Sequence, residues 1–386
     1  MCARGLDIMN SIVKNKIYLH IGTAKTGTTS LQKYLYENRD NLKSNGFVYP
    51  EPYTDPNVGQ CKNGFKFLTR LINGDDINHI LDEYIEKYPS HNIIISEEAF
   101  LDMYIIQPHV INQLLNIKKK YNVNLIVYYR RIIEFMVAYW GQKTKEGFKG
   151  SQVNIPNIEN NNFLMAKVSL EESLENIYQY HKPALNIIKQ LEMLSESNNI
   201  KLIVRPYCKK QMIKKNIIDD FCNILGIENI YKSKFKENMS FTREMTDILY
   251  FRNKIYEKVN QDCEDEAKKK FFQIDYKGET NYFFGNTSLI ESISDNLIKE
   301  VTDKFSVKEN NIYKKITGYE KIFDTPYPEC YENNRDKYHG VNYKIRIIFY
   351  IILFRKKAKY LFLFLRRRLQ LRTKIKIIIK KISRIK

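Results

Sequence analysis

Cysteine is scarce and unpatterned in this 386-residue chain. The six cysteines, Cys2, Cys61, Cys208, Cys222, Cys263 and Cys330, never form a C-x-x-C pair. That argues against both a zinc site and a disulfide framework, and points to a reducing compartment. The first residues, MCARGLDIMNSIVKNK, have no apolar centre, so no secretory signal is read there. No internal repeat is found. Near the C-terminus the apolar stretches IIFYIILF and YLFLFL are broken by RKKAK, and each is shorter than the ~20 residues a spanning helix needs. Burying that cluster mid-bilayer would cost roughly 2.5–3.5 kcal/mol per cation. Acidic residues are missing altogether from Val341 to Lys386, where sixteen Lys or Arg gather.

The rest of the chain is close to electrically balanced. Of a net charge of +19, the residues before Val341 account for 47 basic against 44 acidic side chains, so the charge belongs to the tail. Phe, Leu and Ile interleaved with cations suit an anionic membrane surface, where each cation is worth ~1 kcal/mol. The alternatives are a basic helix packed on its own domain and a nucleic-acid arm. Lipid is favoured over a phosphate backbone because of the apolar runs, and no nucleic-acid partner is expected. Pro326, Pro328 and ECYENNRDKYHG mark a linker before the tail. A hydrophobic content of 43% supplies a substantial core and excludes a disordered chain. The organisation expected is a folded domain over 14–325, a linker over 326–340 and a basic amphipathic tail over 341–386.

Within the folded part, HIGTAKTGTTSLQ (His20 to Gln32) carries the strongest signal. Gly22 and Gly27 have the G-x-x-x-x-G spacing of a nucleotide triphosphatase loop, but Thr28 stands where that loop has lysine, and the lysine lies inside, at Lys25. The β-rich KIYLHI precedes the loop, and Leu31, Leu35 and Leu42 follow at roughly helical spacing. Strand, glycine loop and helix N-terminus form anion-binding architecture, with the amides of Thr26 to Thr29 as donors. The plainer alternative, a tight strand-to-helix turn, leaves Lys25 and the several hydroxyls without a purpose. A triphosphatase would also need an acidic metal ligand. The later runs IIISEE and LIVYYRR do not close on Asp in the usual manner.

Further strands are expected at Ile93 to Ser96, Val123 to Tyr129 and Lys201 to Arg205, besides Ile17 to Ile21, with helices between and mostly helices after Lys210. That alternation predicts an α/β fold: a P-loop-type parallel sheet flanked by helices, with the basic amphipathic C-terminal extension appended. Lys145 to Phe163, polar and punctuated by Gly and Pro, reads as a flexible acceptor-side loop or as a surface connection.

KTGTTSLQ resembles the 5′-phosphosulfate loop of sulfotransferases that use 3′-phosphoadenosine 5′-phosphosulfate (PAPS), particularly the bacterial carbohydrate-sulfotransferase-like branch. IIISEEAF is similar to that family's strand with an active-site glutamate, and LIVYYRRIIEFMVAYW to its 3′-phosphate strand and helix. VRPYCKKQMIKKNIIDDFCNILGI, NMSFT and KENNIYKKI resemble later segments, so the likeness runs over Lys16 to Phe323. The resemblance implies PAPS as donor, no metal, and a carbohydrate or glycan hydroxyl as acceptor. It implies donor contacts from Lys25, Thr26, Gly27, Thr28, Thr29, Ser30 and Arg130; Arg131 either shares that work or pairs with an acid on the surface. Eight residues after Arg130 the family has a serine where this chain has Ala138, leaving open whether Lys143 or another hydroxyl compensates. With the tail, these expectations amount to a cytoplasmic enzyme peripheral to the inner face of the plasma membrane.

Transfer of this kind requires positioning and neutralisation of the leaving oxygen, by analogy with phosphoryl transfer. Lys25 is placed for the second task. A base must also take the acceptor proton. Glu97 and Glu98 stand at an expected strand end, where adjacent like charges would tend to raise one of the two pKa values. Glu98 best matches the family's glutamate; Glu97, read as a cap of the next helix, and His20, given a supporting role, are the alternatives. Tyr207 is weighed between adenine contact and core packing. Two readings from other classes stay open: a P-loop kinase using Mg-ATP, and a catalytically degenerate nucleotide-binding protein recruited to membranes.

Overall fold

The computed structural model describes residues 15–51, 61–101, 108–146, 182–197, 199–228, 246, 249–250, 293 and 295–324. Five strands make one all-parallel sheet: β1 (Lys16–Gly22), β2 (Phe47–Val48), β3 (Asn92–Ser96), β4 (Asn122–Tyr129) and β5 (Ile200–Pro206), in the order β2-β3-β1-β4-β5. The helices are α1 (Thr28–Glu37), α2 (Arg39–Ser44), α3 (Gly64–Ile72), α4 (Ile77–Lys87), α5 (Pro108–Leu115), α6 (Ile132–Glu146), α7 (Lys182–Ser195), α8 (Ile217–Leu225) and α9 (Asp295–Thr317). The four expected strands form within one or two residues of their expected bounds. β2 is the strand the sequence does not announce, since two residues carry no period.

Alternation along the buried strands divides the core in two. Ile17, Leu19 and Ile21 of β1 and Val123, Leu125 and Val127 of β4 face a cluster that includes Phe67 of α3, Ile80 of α4, Trp140 of α6 and Phe305 of α9. Tyr18, Ile94, Ile126 and Tyr128 face the other side, against Leu31 and Leu35 of α1 and Phe221 of α8. Strands covered on both faces must be apolar nearly throughout, which explains runs such as NIIIS and NVNLIVYY. Caps fix the helix ends: the Asp76 carboxylate accepts from the amides of Asn78 and His79 to start α4, and α8 runs from an Asn216 cap to a left-handed Gly226. Buried Asp220 accepts from Arg205 and the Tyr128 hydroxyl, tying α8 to β5 and β4.

The strand order sets the place of any ligand. The chain leaves β1 toward the β3-β2 side and leaves β4 toward β5, so a crevice opens between the C-terminal ends of β1 and β4. Cys61, Cys208 and Cys222 are free thiols. Among the described residues no helix is long and apolar enough to cross a membrane. The tail 341–386, the linker 326–340 and most of the polar 145–163 segment lie outside the described residues.

Candidate active site

At the end of β1 the backbone turns on Gly22, whose φ of 121° suits glycine. A Cβ there would stand 2.9 Å from the Glu98 carbonyl oxygen, so the start of the loop and the acid after β3 are in backbone contact. Thr23 anchors the loop by giving its amide and its hydroxyl to the Tyr128 carbonyl, at 2.9 and 3.0 Å. The Thr26 hydroxyl donates back to the Thr23 carbonyl at 2.5 Å and is fully buried. It is therefore spent inside the loop, and what Thr26 can offer a ligand is its amide. Gly27, left-handed at φ 75°, begins α1. No side chain caps α1, which leaves first-turn amides for an anion. Thr29 is exposed, Ser30 half-buried and Thr28 buried.

Cations gather on the β4 side of this loop. Lys25 has a positive φ of 64°, and its ammonium donates to Gln142 Oε1 on α6 at 2.6 Å. Arg130 donates through Nη1 to the Lys25 carbonyl at 2.8 Å, faces Glu134 at 3.3 Å and lies 5.6 Å from the Tyr207 ring centroid. Tyr207 itself sits at the end of the loop: its hydroxyl would be 3.3 Å from a Cβ on Gly27. Arg131 is buried beside Glu134 at 3.5 Å, with its guanidinium 4.2 Å over the Phe323 ring. It pairs with an acid as one of its two expected roles has it, but inside the protein rather than on the surface. Ala138 is half-buried on α6.

On the β3 side lies a cluster of ionisable groups. Glu98 Oε1 is 2.6 Å from the Lys62 ammonium, and Glu98 Oε2 accepts from the Gln32 amide of α1 at 2.8 Å. Glu97 has no exposed surface; its Oε1 accepts from Lys62 at 3.2 Å and from the Ala99 amide at 3.1 Å, capping the short helical turn Glu98–Leu101. Burial and the neighbouring Glu98 charge push the Glu97 carboxyl well up. Burial also works to raise Glu98, but Lys62, with Gln32 behind it, outweighs burial and holds that carboxyl below the usual range. His20 is fully buried, its Nδ1 2.8 Å from Ser96 Oγ, and desolvation lowers it to about 4 despite the Glu98 charge. The neutral imidazole thus lies inside the fold, hydrogen-bonded to Ser96 and without solvent access. Among the described residues no three His, Cys, Asp or Glu side chains gather as metal ligands would.

Lys62, Gln32 and Gln142 take part in the site without being picked out from the sequence. Lys62 stands in CKNG, which carries no motif. Its neighbour Asn63 accepts from the Ser96 amide and donates to the Ile94 carbonyl, at 2.8 and 2.7 Å, and this docking brings Lys62 to the acids. Gln32 had a signal: it follows four residues after Thr28 on the face of α1 that is buried. No protein-family model matches the chain, and comparison with curated proteins finds no match.

Proposed function

We propose that the chain is a sulfotransferase that moves the sulfuryl group of PAPS to a hydroxyl of a carbohydrate or glycan acceptor by in-line displacement. The observation that carries this reading is the backbone contact of Gly22 with Glu98: it joins an anion cradle bearing Lys25 and Arg130 to a carboxylate held charged, across the crevice of an open parallel sheet. The Glu98 carboxylate takes the proton of the acceptor hydroxyl as its oxygen attacks sulfur. The bond between sulfur and the bridging phosphate oxygen breaks, and Lys25 neutralises the charge left on that oxygen. Adenosine 3′,5′-bisphosphate (PAP) departs from the loop amides and Arg130. No protein group is covalently modified. The Ala138 position leaves the 3′-phosphate chiefly to Arg130. The basic tail, by its sequence, would hold the enzyme at an anionic membrane surface where lipid-linked or envelope glycans are met.

Calorimetry on the full chain tests the reading. PAP and PAPS should bind without added metal, Arg130→Ala should weaken both, and Lys25→Ala should slow PAPS consumption by roughly 10²–10³-fold at saturating donor, the usual scale for removing one oxyanion donor. Binding of Mg-ATP alone would replace this reading with the kinase, and binding of PAP with no transfer to any glycan offered would leave the degenerate module.

A further inference from the structure

Two acids and one ammonium share a nearly closed space at the end of β3. Lys62 is 17% exposed and Glu98 15% exposed by side chain, while Glu97 is wholly covered. One cation cannot compensate two buried anions, because the charge left over would sit desolvated and without a counter-charge. Geometry shows which acid is compensated. Glu98 has Lys62 at 2.6 Å on one oxygen and the Gln32 amide on the other. Glu97 has Lys62 at the longer 3.2 Å, on an oxygen shared with the Ala99 amide, and its Oε2 is buried with no partner. An unpartnered buried carboxylate oxygen is the costly place for charge and the natural place for a proton.

We propose that Lys62 is a positioning residue for Glu98: it fixes the Glu98 carboxylate charged and directed against Gln32, while Glu97 anchors Lys62 from behind as a neutral, proton-bearing acid. This rests on Glu98 being the base of the proposed transfer. The other groups facing the pair are consistent. His20 from β1 is held neutral by burial yet feels the Glu98 charge. The Tyr49 phenol, following β2 and hydrogen-bonded to the Cys61 carbonyl at 2.7 Å, is raised by burial and by both acids, so it stays neutral. Gly64, where a Cβ would come 2.7 Å from Glu97 Cβ, lets α3 press Lys62 onto the acids. The arrangement divides the two carboxyls by charge: Glu98 stays ionised and so can accept a proton, while Glu97 already carries one.

The test is a titration of the full chain labelled with carboxyl-¹³C glutamate, followed by NMR, with Glu97→Gln and Glu98→Gln assigning the two signals. Wild type should show Glu98 titrating below and Glu97 above the ordinary glutamate range. Lys62→Met should raise the Glu98 midpoint by about 1–3 pH units, the usual effect of losing an opposite charge at this distance. Lys62→Arg should restore most of it. Glu97→Gln should abolish the high-midpoint signal and leave Glu98 low. An unmoved Glu98 midpoint in Lys62→Met, or a shift of equal size in Lys62→Arg, would overturn the proposal in favour of simple packing. Should Lys62→Met fail to fold, the Glu97→Gln arm decides: no high-midpoint signal lost, or Glu98 no longer low, overturns it. PAP affinity measured on the same samples keeps the two claims apart. A wild type that binds no PAP would remove the transfer reading while the titration still judged the role of Lys62.

Discussion

The joint between α9 and the strand that delivers Arg130 should make stability fall as pH rises. Glu309 of α9 accepts from the Tyr129 hydroxyl at 2.6 Å and from the Ile132 amide at the start of α6. Burial nevertheless dominates over these donors and over Arg131, pushing its carboxyl up to about 7 from an ordinary 4.5. With the folded value above the unfolded one, the folded chain holds the extra proton between the two. The contribution is fully present below the unfolded value and is lost as pH climbs through the folded one. For these two values, one such carboxyl removes about 2.5 kcal/mol of stability between pH 5 and pH 8. Glu309→Gln keeps an acceptor for the Tyr129 hydroxyl but cannot ionise, so it should lack this slope. Trp140, the one tryptophan of the chain and fully buried in α6, reports unfolding by fluorescence. Urea curves of wild type and Glu309→Gln at several pH values should diverge toward alkaline pH in favour of the variant. Parallel curves, or a gap that opens toward acid, would refute the reasoning.

Gly64→Ala should lower the melting temperature by an amount corresponding to ~1–3 kcal/mol, because its Cβ would lie 2.7 Å from Glu97 Cβ and 3.0 Å from the Ser96 carbonyl; an unchanged melting curve would show that α3 does not press on β3. Deleting 341–386 should release the protein from liposomes containing anionic lipid, and salt should weaken but not abolish the binding of the full chain, since screening spares the apolar contacts. Equal flotation with and without the tail would reject the interfacial role.

Most of the framework was legible from local pattern alone. The four long strands are runs of β-branched and aromatic residues, and the loop has glycines at two positive-φ positions, 121° at Gly22 and 75° at Gly27. Such features depend on each residue's own steric preferences, which the sequence carries directly. It likewise placed Lys25 inside that loop and Arg130 and Glu98 at strand ends. Other relations depend on residues distant in the chain. Sheet order, which puts the end of β3 beside the loop, follows from packing on both faces. Lys62 reaches Glu98 across 36 positions through a stretch without periodicity, held by the Asn63 contacts with β3. The sequence read adjacent like charges as raising one acid. Which one rose was decided by three-dimensional solvation: Glu97 lost all water and left one oxygen unpaired, while Glu98 kept an ammonium and an amide. Sequence alone determined that this chain would build a glycine-bearing strand-to-helix loop on a parallel sheet, because backbone conformation and apolar period are local. The tertiary structure decided which carboxylate carries the charge beside that loop, because burial and counter-charge exist only once distant segments are packed together.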